Sequence, residues 1–231
     1  MIIETVVGCL AETYRLLRSG SILHVDELMK ERRTNEGLRH RCLYTPDGEI
    51  YFMNGKTPTL AITRRSSNPL FQDSTIDEYC QQLLKNKNYR PTSEETQRAL
   101  HAPDTVVVDL TKLRLQKGDE EFSYLAIDTK NYKRLNSEEK KLAKRVHGQG
   151  KYFGLTMKML ANARIIGTDA GVIETRVYVL NLDYVRLHVK ENSLGRASWL
   201  GDFYGNSHFN VSARGMDDHL ALRGVRREVR S

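Results

Sequence analysis

A chain of 231 residues with 39% hydrophobic and 28% charged side chains can bury a core without disulfides or metals, which excludes a disordered chain and a small stapled scaffold. The net charge of +7 is spread over Arg32 and Arg33, 140–145 and 223–230, a distribution that favours solubility and weak polyanion attraction over specific nucleic-acid binding. The three cysteines, Cys9, Cys42 and Cys80, form neither a disulfide framework nor a CxxC metal signature, so synthesis in a reducing compartment is expected.

The opening residues are apolar but lack a basic n-region, and Glu4 interrupts them early, which argues against a signal peptide. No apolar run approaches the roughly twenty residues that span a bilayer, so no membrane insertion is expected. Residues 5–17 carry apolar side chains at helical spacing, and 25–29 continue as a second short helix after Ser19-Gly20-Ser21. Residues 42–52 read as two strands joined across Pro46-Asp47-Gly48, where glycine would supply a positive φ for a hairpin turn. A helix is expected over 74–85, with Tyr79, Leu83 and Leu84 on one face, and another opens at Thr92-Ser93-Glu94-Glu95 and ends before Pro103.

The change of pattern near 91–103 places a boundary there. It separates an N-terminal α/β segment, 1–100, of unassigned role from a second domain, 101–231. Strands are expected over 105–115 and 122–127 around a turn at Lys117-Gly118-Asp119. Ser137 is expected to cap a helix over 138–147, acidic in its first turn and basic in its last, which Gly148-Gln149-Gly150 stops. Residues 152–163 are apolar, 176–180 form a β-branched strand, and the whole reads as α+β.

Catalytic patterns are sparse. Asp104, Asp128 and Lys130 have the outline of a metal-dependent nuclease of the PD-(D/E)xK type, two carboxylates holding Mg²⁺ while the lysine orients water, and this is the alternative reading. His208, Asp217, Asp218 and His219 are competent metal ligands at a spacing that matches no established site, so no metal is expected. Residues 148–154 are glycine-rich but lack a Walker GK[ST] ending. No cofactor is implied, and the chain reads as a binding protein rather than an enzyme.

The informative window is 193–222. It contains no Lys, Glu or Gln, although these three supply about one residue in six of the whole chain. Interleaved with Trp199, Leu200, Phe203, Ser207, Phe209, Val211 and Ala213 are Gly201, Asp202, Tyr204, Gly205, Asn206, His208, Asn210, Ser212, Arg214, Gly215, Asp217, Asp218 and His219. Every residue of this second set is reachable from an asparagine codon by changing only its two adenines, whereas Lys, Glu, Gln, Met and Trp are not. Chemically the set resembles a paratope, with tyrosine as rigid contact area and Asn, Ser, Gly, Asp and His as adaptable hydrogen-bonding groups.

Arg196-Ala-Ser-Trp199 and the closing Ala221-Leu-Arg-Gly-Val-Arg226 resemble the end of the variable proteins of diversity-generating retroelements, most of all the archaeal and viral members. That resemblance implies a C-type-lectin-like domain of the formylglycine-generating-enzyme type, a small antiparallel sheet with flanking helices, and a variable region at about 193–226. It implies a hypervariable ligand-binding surface on the second set of residues, with Trp199, Phe203, Phe209, Arg223 and Gly224 as its scaffold. The partner it implies is a cell-surface macromolecule, expected to be a protein, in viral attachment or host-surface recognition. Display on a virion or cell exterior would follow cytoplasmic synthesis without a classical signal peptide. The Glu-Pro-Asn and Trp-Asn-Asp motifs of calcium-dependent sugar-binding lectins are absent. No cysteine follows Cys80, so the chemistry of formylglycine-generating enzymes is not implied.

Overall fold

The structure is a computed structural model and describes residues 2–6, 23–34, 43–72, 74–86, 88–128, 131–148, 174–190, 192–200, 207–210 and 222–226. In chain order the elements are β1 (Ile2–Val6), α1 (Val25–Thr34), β2 (Leu43–Asn54), β3 (Thr57–Thr63), α2 (Ile76–Asn86), α3 (Ser93–His101), β4 (Val106–Asp109), β5 (Gln116–Lys117) and β6 (Phe122–Asp128). There follow α4 (Ser137–His147), β7 (Glu174–Leu180), α5 (Leu182–His188), β8 (Leu194–Leu200), β9 (Ser207–Asn210) and β10 (Leu222–Arg226).

Eight of the described strands make one sheet in the order β4-β3-β2-β8-β9-β7-β6-β5. All neighbours are antiparallel except β7 and β9, which run parallel. β1 and β10 form a separate antiparallel ribbon. The sheet crosses the boundary expected near residue 100, since β3 pairs with β4 and β2 pairs with β8. The proline-flanked stretch that suggested a linker is instead α3 with its entry and exit turns.

Side-chain alternation sorts the sheet into two faces. On one, Tyr51, Leu60, Leu125, Val177, Val179 and Leu194 join Leu28 and Met29 of α1, Leu142 and Val146 of α4, and Val185 of α5 in the main core. On the other, Ile50 and Ala61 pack against Ala99 of α3. Fully burying each large apolar side chain contributes roughly 1.5–3 kcal/mol, so the first face dominates folding.

Two helix starts form as their sequences dictate. Thr92 and Glu95 close a capping box on α3, and Asn136 and Glu139 close one on α4. Asn136 rather than the expected Ser137 is the cap, and Gly148 ends α4 at φ 84°. The expected strand over 105–115 is broken at Leu110–Lys112 by a 3-10 turn, because the Asp109 side chain accepts from the Thr111 N–H and draws the backbone out of the ladder. At the N-terminus, Ile2–Val6 is a strand, so Thr5 and Val6 do not begin the expected helix; the rest of 5–17 lies outside the described residues.

The expected hairpin at Pro46-Asp47-Gly48 is corrected. β2 runs unbroken through these residues, with a register shift against β8 between Tyr44 and Gly48. The turn lies at Gly55, where φ is 60°. Gly48 is small for a different reason: a Cβ there would lie 2.4 Å from Nδ2 of Asn68. Asp47 is buried, accepting from the Val25 N–H at 2.7 Å at the start of α1 and pairing with His24 at 3.1 Å and Arg145 at 3.2 Å. Burial alone would push its carboxyl up. The His24 hydrogen bond, the charges of His24 and Arg145 and the Val25 N–H outweigh that and hold it below its ordinary value.

Candidate functional site

The window singled out by composition is tied into the molecule by three strands. β8 pairs with β2, β9 inserts between β8 and β7, and β10 pairs with β1. Trp199 stands opposite Tyr44 and Asn210, and Phe209 opposite Leu200 and Val177. Arg223 and Gly224 stand opposite Thr5 and Glu4. Four of the five expected scaffold residues, Trp199, Phe209, Arg223 and Gly224, thus occupy strand positions, and Phe203 lies outside the described residues.

Of the expected ligand-binding set, His208 and Asn210 fall on β9. Gly201, Asp202, Tyr204, Gly205, Asn206, Ser212, Arg214, Gly215, Asp217, Asp218 and His219 lie outside the described residues. The register places position 208 beside Arg176 and position 209 beside Val177. Val177 belongs to the buried row of β7 and Arg176 to its half-buried row.

Beneath this region β8 is held by a buried polar network. Arg196 is fully buried, with its guanidinium 4.7 Å from the Phe122 ring centroid and Nη2 3.4 Å from Oε2 of Glu121. Glu49 sits opposite it on β2, and the Tyr51 hydroxyl donates to Glu49 while accepting from the Leu180 N–H. Burial pushes the Glu49 carboxyl up to about 8, against the opposing pull of the Tyr51 hydrogen bond and the Arg196 charge. On the opposite face, Gly195 lets the Tyr89 ring lie flat on β8. A Cβ there would come within 2.3 Å of Tyr89 Cζ, and the two backbones exchange hydrogen bonds of 3.0 and 2.7 Å.

Composition gave no warning of the open patch on β6 and β7. Tyr124 and Tyr178, cross-strand partners, place their ring centroids 5.3 Å apart, and the Arg176 guanidinium lies 4.6 Å from the Tyr124 ring centroid. All three side chains are half-buried. Tyrosine and arginine are the residue types that dominate binding energy at interfaces, and here each is pre-ordered by the other. The available signal was the alternation Thr175, Val177, Val179 against Arg176, Tyr178, which marks a strand with one face away from the core.

The two carboxylates of the nuclease reading, Asp104 and Asp128, are not gathered. Asp104 accepts hydrogen bonds from Ser66 and Ser67 at the entry to β4, at one edge of the strand order. Asp128 ends β6 near the other edge and accepts from the Asn131 N–H at 2.6 Å; Lys130 lies outside the described residues. Among the described residues, no group of three or more His, Cys, Asp or Glu could hold a metal ion. Nor, among them, is any helix long and apolar enough to cross a membrane.

No family model matches the chain, and no curated protein matches it in sequence. Among solved structures it is similar to one described as "Accommodation of massive sequence variation in Nanoarchaeota by the C-type lectin fold". The TM-score is 0.53 at 14% identity, over 91% of this chain and 90% of that one. The fold is therefore α+β of the C-type-lectin type. The likeness extends over most of the chain, well beyond the 101–231 span that sequence resemblance assigned to this fold.

Proposed function

We propose that this chain is a ligand-binding protein whose variable surface is carried by 193–226 on a C-type-lectin fold. The observation that carries the reading is the division of that window. Trp199, Leu200, Ser207, Phe209, Arg223 and Gly224 of the fixed set stand on β8, β9 and β10, while most of the set reachable from asparagine codons lies between these strands in the sequence, at 201–206 and 211–221. Such a division lets contact residues change without disturbing strand pairing. The similar Nanoarchaeota protein is described as accommodating massive sequence variation in this fold, which supports the same use of it here.

In this reading the chain binds rather than catalyses. Its partner is a cell-surface macromolecule, most simply a protein, met in viral attachment or host-surface recognition from a virion or cell exterior. Diversification is by a retroelement. The DNA following the gene tests this: a near-copy of its 3′ end, differing only where the copy has adenine, is expected beside a reverse transcriptase. Its absence overturns the retroelement origin. Binding itself is tested by exchanging residues at the thirteen variable positions within the same codon set. Melting temperature is expected to stay within about 2 °C while partner binding changes. Unfolding of most such variants would contradict a variable surface.

A further inference from the structure

A second site lies away from the terminal strands, at the β4 edge of the sheet. A cavity of about 500 Å³ is lined by Arg64, Lys141, Lys144 and Arg145 and by two acids, Asp26 and Asp104, with Pro103, Thr105 and Val106 as its wall. That volume is within the range of small-molecule sites and several times that of a bare phosphate ion. Lys141, Lys144 and Arg145 share one face of α4 through their i, i+3, i+4 spacing, whereas Arg64 arrives from the end of β3.

The cations are incompletely matched. Arg64 pairs with Asp26 at 2.9 Å and Lys141 with Glu138 at 2.7 Å. Among the described residues Arg145, its side chain 6% exposed, makes a single polar contact, from Nη2 to Asp47 at 3.2 Å, and its Nε has no acceptor. A guanidinium offers five N–H donors in a planar fork, so one long contact leaves a buried charge poorly satisfied. Burial disfavours its charged form, and the like charge of Arg64 adds to that. An anion seated between Arg64 and Arg145 would relieve both effects, and phosphate oxygens fit the fork geometry.

We propose that this cavity binds a small phosphate monoester. Its phosphoryl oxygens take the donors of Arg145, Arg64 and Lys144, and its hydroxyl-bearing organic part faces the carboxylates of Asp26 and Asp104. The site is separate from the variable surface: β3, β2 and β8 stand between β4 and β9 in the strand order.

Calorimetric titration of the full chain at fixed ionic strength tests it, with glycerol phosphate and inorganic phosphate as probes. Saturable binding is expected, tighter for glycerol phosphate than for inorganic phosphate. Lys144→Glu is expected to weaken it by about tenfold, the loss of roughly one charged contact. Lys117→Glu, at an exposed position on the remote β5, is expected to leave affinity unchanged. The proposal is overturned if glycerol phosphate does not bind, if it binds no tighter than inorganic phosphate, or if the two variants weaken binding equally. None of these results bears on the variable surface.

Discussion

The face of the sheet turned away from the main core has two unlike halves. Over β2, β3 and β8 it is closed: α3 packs Ala99 on Ile50 and Ala61, and Tyr89 lies on Gly195 so closely that no side chain fits beneath. Over β6 and β7 the corresponding row holds Arg176, Tyr124 and Tyr178, half-buried and stacked on one another. One half is fixed by steric exclusion, the other by ring and charge contacts that leave area for a partner. β9, with positions 208 and 210, stands at the junction. β9 is thus registered between a strand of the closed half and a strand of the open one.

Substitutions can break this comparison, and the largest loss is expected beneath it, on the main-core face where α1 and α4 meet β2. Asp47→Ala removes the acceptor shared by His24, Val25 and Arg145 and leaves a buried guanidinium unpaired, an expected loss of about 3–5 kcal/mol by urea unfolding. Because the Asp47 carboxyl is held below its ordinary value, its stabilisation is complete at neutral pH. It is lost as pH falls below 3.8 through the folded-state value, and the variant should lack that acid-side decline. Gly195→Ala drives a Cβ into the Tyr89 ring and is expected to cost about 2–3 kcal/mol.

Glu49 responds in the opposite sense. Its carboxyl is raised from 4.5 to about 8, so the fold favours the protonated form. The contribution of this group to stability is greatest in acid, declines as the unfolded chain ionises above 4.5, and levels off above about 8. Between pH 5 and 8 the wild-type chain is expected to lose on the order of 1–3 kcal/mol through this group, a slope that Glu49→Gln should abolish. In the open half, Arg176→Ala removes a stacked cation and is expected to cost only about 0.5–1 kcal/mol while weakening partner binding. Tyr204→Ala and Asp217→Ala should be smallest of all, within about 0.5 kcal/mol in stability. A loss of several kcal/mol at either would place them with the scaffold.

What could be read in advance was local. The capped starts of α3 and α4 follow from Thr92 with Glu95 and from an acidic first turn before Leu142, and the strand at β7 follows from its β-branched run. Pro46-Asp47-Gly48 misled because its residue types suit a turn equally well. Only the approach of Asn68, twenty positions along the chain, shows why glycine is required there. The sheet's crossing of residue 100 was hidden on the same ground: the pairing of β2 with β8 joins residues about 150 apart, and no local pattern encodes it. The basic cavity was hidden too, since the α4 cations looked like a solvated helix face until Arg64 and Asp104 were brought opposite them.

The ribbon of β1 and β10 ties the far end of the window at 193–226 to the front of the chain. Positions 211–221 are thus bracketed by two anchors, β9 and β10, each held by a partner outside the window. The entropy of closing such a segment depends chiefly on its length and only weakly on which residues fill it. If these positions vary as proposed, each variant would meet nearly the same cost of closure, and change there could accumulate without first having to be reconciled with stability.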